Sequence, residues 1–218
     1  GGRSTEIIIG DDKKALTLSS FSVGSVSWSS KYFPAGVLNR THFDHAIVAA
    51  EAIFEEAIDR FSASKWDTAY GASGTVGAVA NMLKAAGLAN DGISRDDLHW
   101  LINQLCKARH FEEINLQGLK DERKSVIAGG LSALYAAMNL FEIQSLQPTR
   151  GALRHGVLAE IVNRETSVGD VRTRTVRHLM ERFRVDSDQA RRVERIALNL
   201  LDAIDPTREI PAFIRLDL

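Results

Sequence analysis

Three glycine-rich segments of the sequence have the composition of phosphate-binding turns. They are residues 1–5 (Gly-Gly-Arg-Ser-Thr), residues 71–75 (Gly-Ala-Ser-Gly-Thr) and the pair Gly129-Gly130. Glycine lets backbone N–H groups approach an anion closely, and serine and threonine hydroxyls add further donors. Residues 73–75 are also predicted to open a helix, whose positive end attracts an anion. One such turn more often makes a tight corner, but several in one domain favour a phosphate ligand.

Glu6 follows the first of these segments, inside a run of mostly β-branched residues that predicts a strand at residues 5–9. A carboxylate buried in such a strand costs free energy unless a cation pairs with it. Because Mg²⁺ prefers carboxylate and phosphate oxygens, Glu6 is a candidate Mg²⁺ ligand beside the phosphate site. The alternative, which the spacing leaves open, is an edge strand on which Glu6 faces solvent.

The composition excludes several classes of protein. The chain has 218 residues, of which 44% are hydrophobic and 25% charged, as in an ordinary soluble domain. A net charge of −1 gives no overall field that would attract nucleic acid or a membrane surface. The single cysteine, Cys106, rules out an intrachain disulfide and suits a reducing cytosol. We therefore expect a cytoplasmic protein with no membrane partner and no specific nucleic-acid partner.

The elements that must position the glycine-rich segments alternate between strands and helices. Strands at residues 5–9 and around Leu16 and Leu18, joined by a turn, predict an antiparallel hairpin. Thr41 and Asp44 are predicted to cap a long helix. Further strands are predicted at residues 68–72 and 143–146, and further helices at residues 28–33, 76–86, 94–106 and 121–141, the last interrupted by the glycine pair. This mixture indicates an α/β fold.

The pattern of predicted elements changes after residue 166. Two amphipathic helices are predicted at residues 171–183 and 187–204, with no strand between them. We place a domain boundary near residues 163–169, which gives domains at 1–165 and 166–218. Residues 150–195 hold 11 arginines and seven acidic residues. We interpret this stretch as a solvated helical face, with a polyanion-binding surface as the alternative.

Taken in chain order, these segments resemble the exopolyphosphatase/guanosine-pentaphosphate phosphatase (Ppx/GppA) family. Residues 1–6 (GGRSTE) resemble the family's D-I-G-G-G-S-T-E loop without its first two residues, and residues 71–75 resemble its second phosphate loop. Residues 121–131 resemble its R-x-x-x-(I/V)-x-x-G segment, and residues 151–158 (GALRHGVL) its G-L-R-E-G-V-L segment. The resemblance covers nearly the whole chain in the correct order.

The resemblance implies an actin-like fold built of two ribonuclease-H-like halves with the active site in the cleft between them. Residues 1–165 would be the second half, a mixed sheet with flanking helices, and residues 166–218 the start of a helical domain related to HD-type phosphohydrolases. It also implies a Mg²⁺-dependent hydrolase that releases terminal phosphate from polyphosphate or guanosine pentaphosphate, and a possible homodimer. By this resemblance Glu6 would help to hold the metal. The residues that would cradle phosphate are Gly1, Gly2, Arg3, Ser4, Thr5, Ser73, Gly74 and Thr75. Arg154 would either contact the polyanion or structure its own loop.

The sequence departs from the family pattern in ways that bear on activity. Arg3 replaces the third glycine of the first loop, where it could add a phosphate contact or crowd the loop, and His155 stands where the family has glutamate. The family's N-terminal half, which supplies another phosphate loop and the carboxylate thought to activate water, is absent from this sequence. We therefore expect no catalytic residue within this chain and little or no activity from it alone.

Two other functions stay open. A small-molecule kinase of the same superfold would need an adenosine pocket, and the sequence identifies none. A polyphosphate- or nucleotide-binding module without catalysis is compatible with Arg3 and with the arginine-rich stretch.

Overall fold

The computed structural model describes residues 1–11, 14–88, 91–149, 151, 155–158, 161 and 171–204. The chain divides into two compact units, Gly1–Ala152 and Leu153–Leu218, which we describe separately. The predicted domain boundary at residues 163–169 lies outside the described residues and stays a prediction.

The first unit opens with an antiparallel hairpin, as the alternating sequence predicts. Strand β1 (Thr5–Asp11) pairs with strand β2 (Lys14–Phe21), with an irregularity in register between Ile9 and Gly10. Ile7 and Ile9 pack against the core, whereas Ile8 on the opposite face is 61% exposed. The hairpin therefore has one face on the core and one face open.

A second, mixed sheet holds three short strands. They are β3 (Ala69–Gly71), β4 (Ile93–Ser94) and β5 (Ser145–Pro148), in the order β3-β5-β4. Strand β5 is parallel to β3 and antiparallel to β4. Strand β3 lies within the predicted segment, β5 begins two residues later than predicted, and β4 was not predicted because two residues are too few to show a period.

Helices flank these sheets and supply most of the core. In the first unit they are α1 (Ser25–Tyr32), α2 (Arg40–Phe54), α3 (Gly74–Ala85), α4 (Arg95–Ala108) and α5 (Lys124–Leu140). The second unit contains α6 (Val171–Arg182) and α7 (Ser187–Ile204). Within the described ranges, none of these helices combines the length and apolar character that a membrane span requires. The α/β fold with a mixed sheet and flanking helices is confirmed.

The N-terminal caps of two helices can be compared with the capping residues that the sequence predicts. At α4 the predicted capping box forms, since Ser94 Oγ accepts the Asp97 N–H at 3.1 Å and Asp97 Oδ2 accepts the Ser94 N–H at 2.8 Å. At α2 the predicted cap is wrong. Asn39 is the N-cap residue, and its side-chain oxygen accepts the His42 N–H at 2.8 Å. Asp44 lies one turn further along and instead pairs with Arg40 at 2.9 Å.

The glycine pair does not interrupt a helix, and it is not a turn. Helix α5 runs unbroken through Gly129 and Gly130, both of which are buried in its middle. A Cβ on Gly129 would lie 2.7 Å from the backbone oxygen of Ser25 and would overlap the backbone nitrogen of Ser29, both in α1. A Cβ on Gly130 would lie 2.6 Å from Thr75 Oγ1. The pair is therefore glycine because α1 and residue 75 approach the axis of α5 closely.

This packing predicts that replacing glycine by alanine changes the free energy of unfolding in opposite directions at two positions. In Gly129→Ala the new methyl group meets backbone atoms that cannot rotate away, so we expect a loss of about 1–3 kcal/mol in the free energy of unfolding. The control is Gly77→Ala in α3, where a Cβ would meet nothing within 4 Å. There we expect a gain of up to about 1 kcal/mol from helix propensity. Urea unfolding of both variants measures the difference, and a similar gain in both would refute the close packing of α1 on α5.

Candidate phosphate-binding site

The first loop, residues 1–4, is fixed against the start of α1. The backbone oxygen of Gly1 accepts the Ser25 N–H at 3.0 Å, and that of Gly2 accepts the Val26 N–H at 2.9 Å. A Cβ on Gly24 would overlap the backbone of Arg3, so this position admits only glycine. The sequence therefore holds the loop in place through main-chain contacts that do not depend on its own side chains.

The second loop, residues 72–75, leads from β3 into the first turn of α3. Ser73 is the N-cap residue, and its Oγ accepts the Val76 N–H at 3.1 Å. The N–H groups of Gly74 and Thr75 have no acceptor among the described residues. These free donors and the positive end of the helix favour an anion at this point.

The structure brings the two loops together through α1 and α5. Ser25, which holds Gly1, also lies against Gly130, and Thr75 lies against the same glycine. A cavity of about 870 Å³ opens at both loops. Its lining includes Gly1, Thr5, Glu6, Ser25, Ser73, Thr75 and Gly130. Two of the three predicted glycine-rich segments are thus loops that line part of this cavity, although Gly2, Arg3, Ser4 and Gly74 do not line it. The third segment lines it through Gly130 of α5.

Arg123 is a residue at this site for which the sequence analysis predicted no role. It ends the short 3₁₀ turn Asp121–Arg123 before α5, and a Cβ on Gly74 would overlap its guanidinium group. The neighbouring Lys124 pairs with Asp121 at 2.9 Å, whereas no carboxylate pairs with Arg123 among the described residues. A guanidinium carries five N–H donors, so Arg123 adds a positive charge and donors above the free amides of α3. Arg123 is the arginine of the segment 121–131 that resembles the family's R-x-x-x-(I/V)-x-x-G pattern, but its place next to Gly74 depends on contacts between distant parts of the chain.

Glu6 is exposed on β1, so the structure supports the edge-strand alternative that the sequence left open. Ser4 Oγ donates a hydrogen bond to Glu6 Oε1 at 2.5 Å, and Ser20 Oγ approaches the same oxygen at 3.4 Å. The hydrogen bond from Ser4 is the main cause that lowers the pKa of Glu6, and partial burial acts in the opposite direction. The carboxylate therefore stays charged beside the first loop. Its role as a metal ligand stays a prediction, and the described residues contain no group of three or more His, Cys, Asp or Glu side chains that could hold a metal ion.

The predicted phosphate-binding roles of Arg3 and Arg154 stay predictions. Arg3 is exposed, and its side chain makes no hydrogen bond or ion pair among the described residues. Arg154 lies outside the described residues.

The sequence pattern that defines the Ppx/GppA phosphatase family matches residues 1–165. The chain belongs to this family. The resemblance drawn from the loop sequences is thereby confirmed, together with membership of a family of phosphatases.

Curated relatives in the Ppx/GppA family share about a third of their aligned residues with this chain. A protein of Vibrio vulnificus named guanosine-5'-triphosphate,3'-diphosphate pyrophosphatase is 35% identical over 211 residues, which are 97% of this chain and 42% of the relative. A protein of Photobacterium profundum with the same name is 35% identical over 205 residues, which are 94% of this chain and 41% of the relative. The chain therefore spans about two-fifths of the length of these relatives.

Solved structures of other proteins show the same fold at lower identity. The Aquifex aeolicus member of the Ppx/GppA family superposes with a TM-score of 0.61 at 21% identity, covering 77% of this chain and 55% of that one. An exopolyphosphatase from Cytophaga hutchinsonii superposes with a TM-score of 0.62 at 19% identity, covering 75% of this chain and 55% of that one. At these identities the likeness establishes the fold alone.

The bond between Ser4 and Glu6 predicts a specific pH dependence. Because the pKa of Glu6 is lower in the folded chain than in the unfolded chain, this bond stabilises the fold above the unfolded pKa. The contribution is lost as the pH falls through the folded pKa. We expect Ser4→Ala to raise the pKa of Glu6, measured by the NMR titration of its side-chain carboxyl carbon.

The matched control for this titration is Ser62→Ala, which removes another hydroxyl whose hydrogen-bond partner within the described ranges is Ser64 Oγ, at 3.1 Å. It should leave the Glu6 titration unchanged. An unaltered Glu6 midpoint in Ser4→Ala would show that Ser4 does not set the charge of this carboxylate.

Proposed function

We propose that this chain forms part of a phosphoanhydride hydrolase that releases the terminal phosphate of guanosine pentaphosphate. The observation that carries the proposal is the meeting of the two loops and the start of α3 at a single cavity, with the Arg123 guanidinium next to Gly74. The substrate follows from the relatives at 35% identity, whose names specify the pyrophosphatase that acts on guanosine-5'-triphosphate,3'-diphosphate.

The first task of the site is to bind a phosphate group with several negative charges. The free N–H groups of Gly74 and Thr75 point from a helix start whose partial positive charge adds to their donor strength. Arg123 lies above Gly74 and can donate two parallel hydrogen bonds to phosphate oxygens. In our proposal the Ser73 hydroxyl and the backbone of Gly1, Gly2 and Arg3 complete the cradle, whereas the Ser4 and Thr5 hydroxyls donate to Glu6 and to the Val23 carbonyl. Donors fixed in this way stabilise charge on the phosphate in the transition state.

The residues present fit a Mg²⁺ ion held partly by the substrate. Glu6 is exposed, stays charged through its bond from Ser4, and lines the same cavity as the loops. Mg²⁺ in phosphoryl-transfer sites takes one or two carboxylates together with waters and phosphate oxygens, so a single glutamate is a sufficient protein ligand. When bound, the ion would neutralise charge on the phosphate oxygens.

The hydrolytic step needs a group that this chain does not supply in our proposal. A water oxygen forms a bond to the terminal phosphorus, the bridging P–O bond breaks, and the proton of the water passes to a base. We assign phosphate binding and orientation to this chain and the base to another part of the protein. The chain alone should therefore bind the terminal phosphate of the substrate but not hydrolyse the phosphoanhydride bond.

The same site would accept the end of a polyphosphate chain, because both substrates present a terminal phosphate. We prefer guanosine pentaphosphate because the relatives with that activity in their names are 35% identical, whereas the exopolyphosphatase of solved structure is 19% identical. The division into domains at 1–165 and 166–218, a cytoplasmic location and a homodimer stay predictions.

Glu6→Gln in the full-length natural protein that carries these residues tests the proposal. We expect the release of phosphate from guanosine pentaphosphate in the presence of Mg²⁺ to fall by roughly 100-fold or more, since a neutral amide is a poor Mg²⁺ ligand. Malachite green assays against guanosine pentaphosphate and against polyphosphate measure the rate and the substrate preference.

The control for the activity assay is Glu56→Gln, which changes another exposed glutamate, in the 3₁₀ turn Glu55–Ala57 that follows α2. It should retain the wild-type rate. Full activity in Glu6→Gln would contradict the metal role. Tight binding of guanosine pentaphosphate with no turnover by the full-length protein would identify a binding module instead.

A further inference from the structure

Thr5 lies between the first loop and the body of strand β1, and its hydroxyl is already engaged within the fold. Thr5 Oγ1 donates a hydrogen bond to the backbone oxygen of Val23 at 2.6 Å, across 18 residues of sequence. A threonine hydroxyl has a single proton to donate, so its oxygen then offers only lone pairs. The oxygens of an ionised phosphate also offer only lone pairs. The Thr5 hydroxyl therefore cannot donate to a phosphate while this bond exists.

The acceptor of this bond belongs to a part of the main chain that the core holds in place. Val23 is fully buried, and its N–H donates to the Phe21 oxygen at 2.7 Å in a tight turn after β2. Within the described ranges, the Val23 oxygen accepts from Thr5 and from no other donor. A carbonyl at a buried residue is costly to leave unpaired. Thr5 therefore ties the end of the first loop to a fixed point.

The chain leads from Val23 directly into the helix that holds the first loop. The next residue, Gly24, is the N-cap residue of α1 and lies against the backbone of Arg3. The first amides of a helix have no acceptor within the helix. In α1 the first three donate to backbone oxygens of the first loop at 2.9–3.2 Å; the donors are Ser25, Val26 and Ser27, and the acceptors are Gly1 and Gly2. The position of α1 therefore sets the position of this loop.

The bonds from α1 also fix the direction of the loop amides. The C=O and N–H groups of a planar trans peptide unit point in opposite directions. The carbonyl groups of Gly1 and Gly2 point toward the start of α1. The N–H groups of Gly2 and Arg3 belong to the same two peptide units, so they point away from α1. Successive N–H groups on one side of the chain form a concavity that can bind an anion.

We propose that Thr5 is a positioning residue, which orients the first loop through α1 and does not itself contact phosphate. Its hydroxyl holds the Val23 carbonyl, Val23 leads through Gly24 into α1, and α1 orients the amides of the loop. This role differs from the phosphate contact that the sequence resemblance implies for Thr5. The inference rests on the proposed function, because it assigns a role within the same site.

The test compares Thr5→Val, which removes the hydroxyl and keeps a β-branched side chain, with Thr5→Ser, which keeps the hydroxyl. Amide hydrogen exchange of the chain is followed by NMR at Ser25 and Val26, whose N–H groups hold the loop. We expect exchange at both amides to become about tenfold faster in Thr5→Val, the effect of one lost hydrogen bond, and to stay at the wild-type rate in Thr5→Ser. The facing pair Ile8 and Leu18 reports on the hairpin and should keep its protection in both variants.

The same variants are then compared for binding and for activity. We expect Thr5→Val to weaken the binding of inorganic pyrophosphate to the chain about tenfold, and to lower phosphate release by the full-length natural protein about tenfold. Thr5→Ser should restore both. The matched control is Thr17→Val, at another half-buried threonine of the hairpin, whose hydroxyl makes no hydrogen bond with the described residues. It should change neither amide exchange, binding nor activity.

Each other outcome overturns the inference. Weaker pyrophosphate binding in Thr5→Val with unchanged exchange at Ser25 and Val26 would show that Thr5 contacts the anion directly. Faster exchange with unchanged binding would show that the loop does not depend on this bond, and loss of protection at Ile8 and Leu18 would show that the bond holds the whole hairpin. The exchange measurement needs no substrate. Failure of the proposed function, seen as no phosphate release by the unsubstituted full-length protein, is therefore distinguished from failure of this inference.

Discussion

The close approach of α1 to α5 at Gly129 and Gly130 is the contact on which the arrangement of the site depends. Ser25 at the start of α1 holds the first loop through its backbone, and Thr75 of the second loop lies against Gly130. Gly129 contacts main-chain atoms of Ser25 and Ser29, whereas Gly130 contacts the side chains of Thr75 and Ser25. A side chain larger than hydrogen at either glycine would therefore push α1 or the second loop away from α5. The geometry of the site is therefore set by the packing of two helices in the core, and only indirectly by the loop sequences.

The electrostatic character of the site comes from donors that the fold leaves without acceptors. The first amides of α1 are used by the carbonyl groups of Gly1 and Gly2, so that helix start serves to hold the loop. The first amides of α3 are free, and Arg123 lies above them without a carboxylate partner among the described residues. Glu6 is the one acidic side chain named at the site, and the hydrogen bond from Ser4 lowers its pKa. Positive donors beside one ionised carboxylate are a suitable environment for a phosphate with its metal ion.

The sequence predicted the elements whose signals are local. Alternation and β-branched residues gave the hairpin, and Ser94 with Asp97 gave the capping box of α4 because both partners lie within one turn. Asn39 was missed as the cap of α2, since a search for threonine followed by an acid selected Thr41. The glycine pair was misread because a turn and a close helix contact both require glycine, and only the tertiary structure separates them. Arg123 was marked in the sequence only as the arginine of the segment 121–131, which did not indicate that it lies next to Gly74.

The central claim is that two loops far apart in sequence form one anion site, and an NMR titration of the chain with inorganic pyrophosphate tests it most directly. The account predicts that the amides of Gly74, Thr75 and Thr5 shift with a common midpoint. Arg123→Met should weaken binding about 10- to 100-fold, the value of a charge-assisted hydrogen bond. Arg95→Met, which removes an arginine bonded to the neutral Asn139 and Gln144, should not weaken it. Shifts confined to one loop, or equal losses in both variants, would contradict the claim.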